Sequence, residues 1–449
     1  VATGGLPGTA ANGGGSGTAA NGGGPRVTAA NGGLPGAADG GGSATAATGG
    51  LPGAAANGGG SRTAANGGGP RVTAANGGLP GAADGGGSGT AANGGPPATA
   101  ATGGRSPTAA TGLSGRVLAR FGRIPLAVVP TPLVAAPRLG AALGCGPLLV
   151  KRDDLTGFAF GGNKARPLEF LLAAALADGA DTLLTGGAAS SNFCAAAAAA
   201  ACRAGLRCEL VIAGHPVPPV PALALALSWG AAVRWTGVPE RDSVDAGLPA
   251  AAAELSAQGR RAYLIPRGGA TALGALGYAL AAAELHDQLG QQGLRADVLI
   301  VPTGSGGTLA GLVAGNVLLG RPWRLVGCSA SRPPEATVRR VTALAAECLG
   351  AIEPPDGAAA GAQPVAVGPA AVGPADVTVA DARGPGHGIA SADGTAAQAQ
   401  AMRTEGLLVD PVYTAKALAL VPQYSVGGNV VFWHTGGVLD AVAEAQDRA

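Results

Sequence analysis

Asp297-Val298-Leu299-Ile300-Val301-Pro302, then Thr303-Gly304-Ser305-Gly306-Gly307-Thr308, then Leu309-Ala310-Gly311-Leu312-Val313: on this run the reading of the fold turns. The first segment is a short unbroken apolar stretch bounded by Pro, the pattern of a strand buried on both faces of a parallel sheet. The third reads as a helix. A strand, a Gly/Ser/Thr loop and a helix start together make a cradle for phosphate, because free N–H groups, hydroxyl donors and the positive dipole end converge there. The loop lacks the Gly-Lys-Ser/Thr ending of a nucleotide P-loop. It does not read G-x-G-x-x-G either, which disfavours a dinucleotide. Taken alone, a tight turn without a ligand is the plain alternative.

Outward from this run the alternation continues. Leu148-Leu149-Val150-Lys151-Arg152, Asp181 to Thr185, Cys208 to Ile212, Ala232 to Trp235, Tyr263 to Pro266, Leu325 to Cys328 and Val430 to Trp433 read as strands, with helical stretches between them. The pattern predicts a doubly wound α/β fold. Residues 353–375, rich in Pro, Ala and Gly, read as a surface insertion.

Lysine is rare: three stand among the 29 Lys and Arg residues, at 151, 164 and 416. Arg serves most surface roles but stays protonated and cannot form an imine, so each remaining lysine invites a question. Lys164 ends Phe160-Gly161-Gly162-Asn163-Lys164, just before the helical Pro167-Leu168-Glu169-Phe170. Glycines let backbone approach a flat ligand, Asn163 offers a donor, and a helix dipole would destabilise the ammonium, as suits a Schiff-base lysine. The plain alternative is a solvated charge. A compact phosphate site together with such a lysine points to pyridoxal phosphate. Thr185-Gly186-Gly187-Ala188-Ala189-Ser190-Ser191-Asn192 precedes another helix and suits a substrate carboxylate, or is an ordinary N-cap cluster.

Composition bounds the rest. Residues 1–112 lack aromatics and cysteine, and residues 18–43 recur letter for letter as 63–88. Gly and Ala cannot bury enough apolar surface to order so flexible a backbone, so this repeat is expected to be disordered. Residues 113–449 are expected to form the catalytic domain. A net charge of +2 gives no reason to expect nucleic acid or an anionic membrane as partner. The six cysteines show no zinc spacing, so no metal is expected, and they read as buried thiols of a cytoplasmic protein.

Lys151-Arg152-Asp153-Asp154-Leu155-Thr156-Gly157 followed by Gly161-Gly162-Asn163-Lys164 resembles the fold-type II, tryptophan synthase β-like, pyridoxal phosphate enzymes. More narrowly it resembles the D-cysteine desulfhydrase and 1-aminocyclopropane-1-carboxylate (ACC) deaminase family. Gly384-Pro385-Gly386-His387-Gly388, Asp410-Pro411-Val412-Tyr413-Thr414-Ala415-Lys416 and His434-Thr435-Gly436-Gly437 match further family stations in order. The resemblance spans roughly Arg123 to Val438 and implies two lobes with the cofactor between them, the small lobe inserted in the large one over about 165–275, in a homodimer acting on a small amino acid. It implies that Lys164 holds the cofactor as an imine and moves the Cα proton, that Asn163 contacts the 3-oxygen, and that Thr303, Gly304, Ser305, Gly306, Gly307 and Thr308 cradle the phosphate. By the same resemblance Ser190, Ser191 and Asn192 meet the substrate, Ser191 and Tyr413 act in catalysis, and Thr435 faces the pyridine nitrogen. Lys151 is expected to pair with Asp153 or Asp154 at a strand end, and Lys416 to be a cation near a helix end.

Two positions choose a branch. ACC deaminases carry Glu where this chain has Thr414 and Leu where it has Thr435. A hydroxyl by the ring nitrogen gives a milder electron sink than a carboxylate, which favours β-elimination. The expected activity is D-cysteine desulfhydrase-like, releasing pyruvate, ammonia and sulfide. ACC deaminase or cysteate lyase activity, or a catalytically impaired cofactor-binding paralogue, are the alternatives. Ser190, Phe193, His387 and Ala415 depart from the family pattern. His387, in place of a tyrosine, is expected to be a catalytic residue, cationic beside phosphate and carboxylate with a raised pKa, and to favour acidic side chains.

Overall fold

The computed structural model describes residues 109–353, 371–425 and 428–447. The repeat expected to be disordered lies outside them as far as residue 108, and so does most of the 353–375 insertion. Ala109–Gly112, counted with the repeat above, open the first helix, Ala109–Arg120. Among the described residues ten strands form two sheets: β1 (Leu133–Ala135), β2 (Leu148–Arg152), β3 (Thr182–Gly187), β4 (Arg207–Ile212), β5 (Ala232–Trp235), β6 (Ala262–Leu264), β7 (Val298–Thr303), β8 (Arg324–Ser329), β9 (Thr378–Asp381) and β10 (Val430–His434). The larger sheet runs β1-β2-β10-β7-β8-β9, the smaller β5-β4-β3-β6. Every neighbouring pair is parallel except β1 with β2. β1 and β9 were not read from the sequence; each is only three or four residues long, too short for a periodic signal.

The apolar runs are continuous because both faces of the large sheet are covered. Leu149, Val431, Leu299 and Leu325 enter one core, with helices Ala272–Gln292 and Gly307–Leu318. Their neighbours Leu148, Val150, Val430, Phe432, Val298 and Ile300 enter the other. Alternate side chains of one strand therefore feed two cores, as the pleat demands. In the smaller sheet's layer the Ala-rich helix Asn192–Arg203 is buried from Phe193 through Ala201. A helix apolar all round belongs inside, and Ala lets it lie close to the sheet.

The cysteines are more varied than expected. Cys194, Cys208, Cys328 and Cys348 are buried, Cys145 is half-buried and Cys202 is exposed; all six are free. Among the described residues no helix is long and apolar enough to cross a membrane, and no cluster of metal-ligating side chains occurs.

Candidate active site

Three loops meet although the chain separates them widely. Asn163 donates its N–H to the Thr435 carbonyl at 2.9 Å and its side-chain amide to Thr308 Oγ1 at 2.9 Å. Only glycine permits the first approach: Gly162 and Gly436 have φ of +93° and +101°, and a Cβ on Gly436 would stand 2.6 Å from the Gly162 Cα. Around this junction opens a cavity of about 400 Å³, whose wall includes Lys164, Ser191, Asn192, Ser305, Tyr413 and Thr435.

Lys164 is half-buried at the N-cap of the helix Ala165–Ala177. Burial pushes its ammonium down to about 8, against the pull of the Asp410 carboxylate. The helix dipole expected to do this is not the principal cause. Asp410 is itself buried; burial raises its pKa, while Thr414 Oγ1 donates to it at 2.5 Å and the N–H groups of Val412, Tyr413 and Thr414 at 3.0, 2.7 and 3.0 Å. The carboxylate thereby folds the turn that presents Tyr413 and engages the Thr414 hydroxyl. The sequence reading missed Asp410 as a site residue, although an Asp just before a short helix was a capping signal in plain view.

In the strand–loop–helix run, Gly306 caps the helix Gly307–Leu318 with φ of +96° and no side-chain acceptor. The loop's carbonyls are clamped: Gly304 O accepts from Arg332 at 2.8 Å and Ser305 O from Arg340 at 2.8 Å. This leaves the N–H side of the loop and the helix start as donors for an anion. Thr303 differs from its neighbours, being buried with its hydroxyl donated to the Val301 carbonyl at 3.0 Å. A depressed lysine, an amide, a threonine and an N–H cradle fit a flat, phosphate-bearing aldehyde.

At the second helix start, Ser191 is the N-cap, accepting from the Cys194 N–H at 3.3 Å, and it also faces the cavity with Ser190 and Asn192. Asn192 donates to Asp440 Oδ2 at 2.9 Å. Burial and then the nearby Asp410 raise Asp440 to about 6, with Asn192 opposing. Asp440 was also missed, since no local pattern ties it to a residue 248 positions earlier.

His387 overturns its expectation. Its Nε2 shares a 2.9 Å hydrogen bond with Tyr413 Oη, and burial, then Arg241, Lys416 and Arg332, depress its pKa to about 4. The residue is largely open to water, which screens part of that field, but the direction is clear: the imidazole is neutral at neutral pH. The cations at this wall are Arg241, Lys416 and Arg332, not His387 itself. Burial drives Tyr413 up to about 12, so it stays protonated.

The other lysines are corrected as well. Lys151 is fully buried and pairs with Glu284, Gln288 Oε1 (2.6 Å) and the Thr131 carbonyl (2.7 Å), not with Asp153 or Asp154. Asp153 pairs with Arg166 at 2.8 Å and Asp154 with Arg152 at 2.7 Å. Lys416 does lie in the last turn of a short helix, but its ammonium donates to the carbonyls of Arg383 (2.7 Å) and Gly386 (2.9 Å), tying down the loop that bears His387.

Residues 124–436 match the family model described as pyridoxal-phosphate dependent enzyme. The chain belongs to that family. Its cofactor is pyridoxal 5'-phosphate. Among curated relatives, a Pyrococcus abyssi protein provisionally named 1-aminocyclopropane-1-carboxylate deaminase is 35% identical over 318 residues, 69% of this chain and 89% of that one. A D-cysteine desulfhydrase of Klebsiella pneumoniae is 37% identical over 322 residues, 69% of this chain and 92% of that one. The solved structure of an ACC deaminase homologue superposes with a TM-score of 0.65 at 30% identity, over 75% of this chain and 97% of that one. A fungal L-serine ammonia-lyase from Rhizomucor miehei shares the fold at 18% identity and a TM-score of 0.52, over 72% of this chain and 98% of that one. The pyridoxal phosphate enzyme described here is thus a lyase of fold-type II, as the sequence resemblance implied.

Proposed function

We propose that the enzyme catalyses β-elimination on a small amino acid, in the manner of a D-cysteine desulfhydrase, releasing pyruvate, ammonia and the β-substituent, sulfide in the case of D-cysteine. The observation that carries this reading is the depressed Lys164 amine at the junction of the three loops. An amine with a pKa of about 8 is partly neutral near neutral pH and can take a proton from Cα. The cofactor, when bound, supplies the electron sink for the pair left at Cα. Asn163 and the 304–308 loop would hold it, with the Thr435 hydroxyl toward its ring nitrogen. Ser191, Asn192 and the N–H groups of their helix would hold the substrate carboxylate, and Ser191 and Tyr413 would hand protons on.

A second reading, ACC deamination, rests on the 35% identity to the Pyrococcus abyssi protein of that provisional name. The hydroxyls of Thr414 and Thr435 at the two branch positions support elimination over ring opening. Product analysis separates the two: pyruvate and sulfide from D-cysteine, against 2-oxobutanoate from ACC. Formation of 2-oxobutanoate alone would overturn the elimination reading. The same proposal takes the enzyme to be a cytoplasmic homodimer with neither nucleic acid nor membrane as partner.

A further inference from the structure

One carboxyl in the cavity wall has no cation to meet it. Asp440 stands half-buried in the first turn of the helix Val438–Asp447, makes no ion pair among the described residues, and is held by the 2.9 Å hydrogen bond from the Asn192 amide to its Oδ2. Asp410 lies close by: a Cβ on Gly437, just before that helix, would stand 2.5 Å from Asp410 Oδ2. The two carboxyls are served unequally. Asp410 has the Thr414 hydroxyl, three backbone N–H groups and the pull of Lys164, whereas Asp440 has a single amide. Besides Asp410, the titratable group facing Asp440 is Tyr413, whose phenol stays protonated. Glu444 on the same helix is engaged by Gln398 at 2.8 Å. The helix Pro221–Ser228, which packs against this one, and the first turn of Asn192–Arg203 bring no side chain that is charged at neutral pH. The place is also short of donors, since Asn192 Oδ1 is buried without one among the described residues. A substrate carboxylate brought to the Asn192 helix start adds acceptors and negative charge where both are already in excess.

We infer that Asp440 is a binding residue that meets the substrate's carboxylate as a neutral acid, so that each substrate molecule brings one proton into the cavity with it. This rests on the reading that Ser191, Asn192 and their helix start hold that carboxylate, not on which bond is broken afterwards. Asn192 has two amide hydrogens, one for Asp440 and one for the substrate, which sets the two carboxyls side by side. Neighbouring carboxylates cannot all stay ionised at small cost, and the one with the fewest donors takes the proton. That proton comes from water, lands on a carboxyl oxygen of Asp440 and supplies the donor that the place lacks. Burial and Asp410 already oppose the charge on Asp440 and raise its pKa to about 6. An anion that prefers the neutral form raises it further, so binding takes up a proton at neutral pH and weakens as pH rises above that value.

The test uses full-length holoenzyme and both enantiomers of alanine, which carries the carboxylate but no β-leaving group. Affinity is read from the change in cofactor absorbance between about pH 5 and 8, and proton uptake from calorimetric titration in buffers of different ionisation heat. Near neutral pH wild type should take up about one proton more per alanine than Asp440→Asn, and above about pH 6 its affinity should fall roughly tenfold per pH unit relative to that variant. Asp440→Asn, neutral and still a donor, should bind alanine at every pH as tightly as wild type does at the acid end. Asp440→Ala, neutral without a donor, should also lose the extra proton but bind roughly tenfold more weakly than Asp440→Asn. With alaninol, which lacks the carboxylate, wild type and Asp440→Asn should take up the same number of protons. Equal proton counts on alanine, alongside a clear preference for alanine over alaninol, would overturn the inference alone. Weaker binding by Asp440→Asn at every pH would overturn it too, as the mark of a carboxylate that works as the anion. Alaninol bound as tightly as alanine would overturn the carboxylate site and the inference together. The extra proton taken up on alanine, with no pyruvate from D-cysteine, would uphold the inference and remove the elimination reading instead.

Discussion

Two groups of charges lie within this fold and are built in opposite ways. Beneath the lysine loop, Lys151, Asp153, Arg166 and Glu284 form a closed network: Arg166 reaches Asp153 and both oxygens of Glu284, Lys151 reaches Glu284, and Tyr278 Oη and Trp433 Nε1 donate to Asp153 at 2.7 and 2.9 Å. On the cavity wall, Arg241 and Arg332 act on His387 and Tyr413 and make no ion pair among the described residues, with Asp242 only partly offsetting the neighbouring arginines at Arg332. Buried charges survive when they are paired and hydrogen-bonded, so the first group is complete by itself. The second is left partly to water, Arg241 being exposed and Arg332 half-buried. Closure of a charge network therefore separates a group that completes itself from one left open at the cavity, although both consist of the same residue types.

The comparison can be broken most forcefully at Lys164. Lys164→Ala should lower turnover ~10³-fold or more, and borohydride reduction of wild type should fix the cofactor to the peptide containing Lys164. Labelling at Lys151 would mean that the closed network is the reactive one. Next in size, Glu284→Ala should destabilise the fold by about 3–5 kcal/mol in denaturant unfolding, because it strands Lys151 and Arg166 among buried groups. A loss under 1 kcal/mol would show that the network is not closed in solution.

The pH dependence separates the regions further. Asp153 would be raised by burial, but Arg166 and Lys151 outweigh this and hold it at about 2, below the ordinary 3.8. A carboxyl depressed in the folded state stabilises above its unfolded pKa, and that stability goes as pH falls through the folded value. Acid unfolding of wild type should therefore steepen between about pH 4 and 2, and Asp153→Asn should lose that dependence. The smallest effect is expected at the cavity. Any kinetic transition near pH 6 belongs to Asp440, so it should vanish in Asp440→Asn and persist in His387→Tyr. Loss of the transition in His387→Tyr alone would return the titrating role to the histidine.

What was readable in the chain follows the same division. Eight strands and the helix after Lys164 were evident from apolar runs and glycine punctuation, because these are local signals. The strand–loop–helix cradle and Gly-Gly-Asn-Lys were legible for the same reason. The partners of Lys151 and Asp440 were not, since Glu284 and Asn192 are 133 and 248 residues away and nothing local announces them. The state of His387 failed for a related cause. Its charge was argued from expected ligands, whereas burial acts first and then cations among which Arg241 and Arg332 lie 146 and 55 residues earlier, on other elements.

One feature of the larger sheet bears on how this chain comes to be folded at all. β10, which ends at His434, lies between β2 and β7 and pairs with both in register. During synthesis the ribosome releases the smaller sheet's strands, all between Thr182 and Leu264, long before β10 exists. The smaller sheet has its full set of strands by then, while β2 and β7 wait for a central partner until Val430–His434 has been made. Pairings so distant in sequence form slowly and leave strand edges open in the meantime. A chain stopped short of Val430 would keep two unsatisfied edges in the middle of its larger sheet, so termination before that residue should yield aggregation rather than a shorter enzyme.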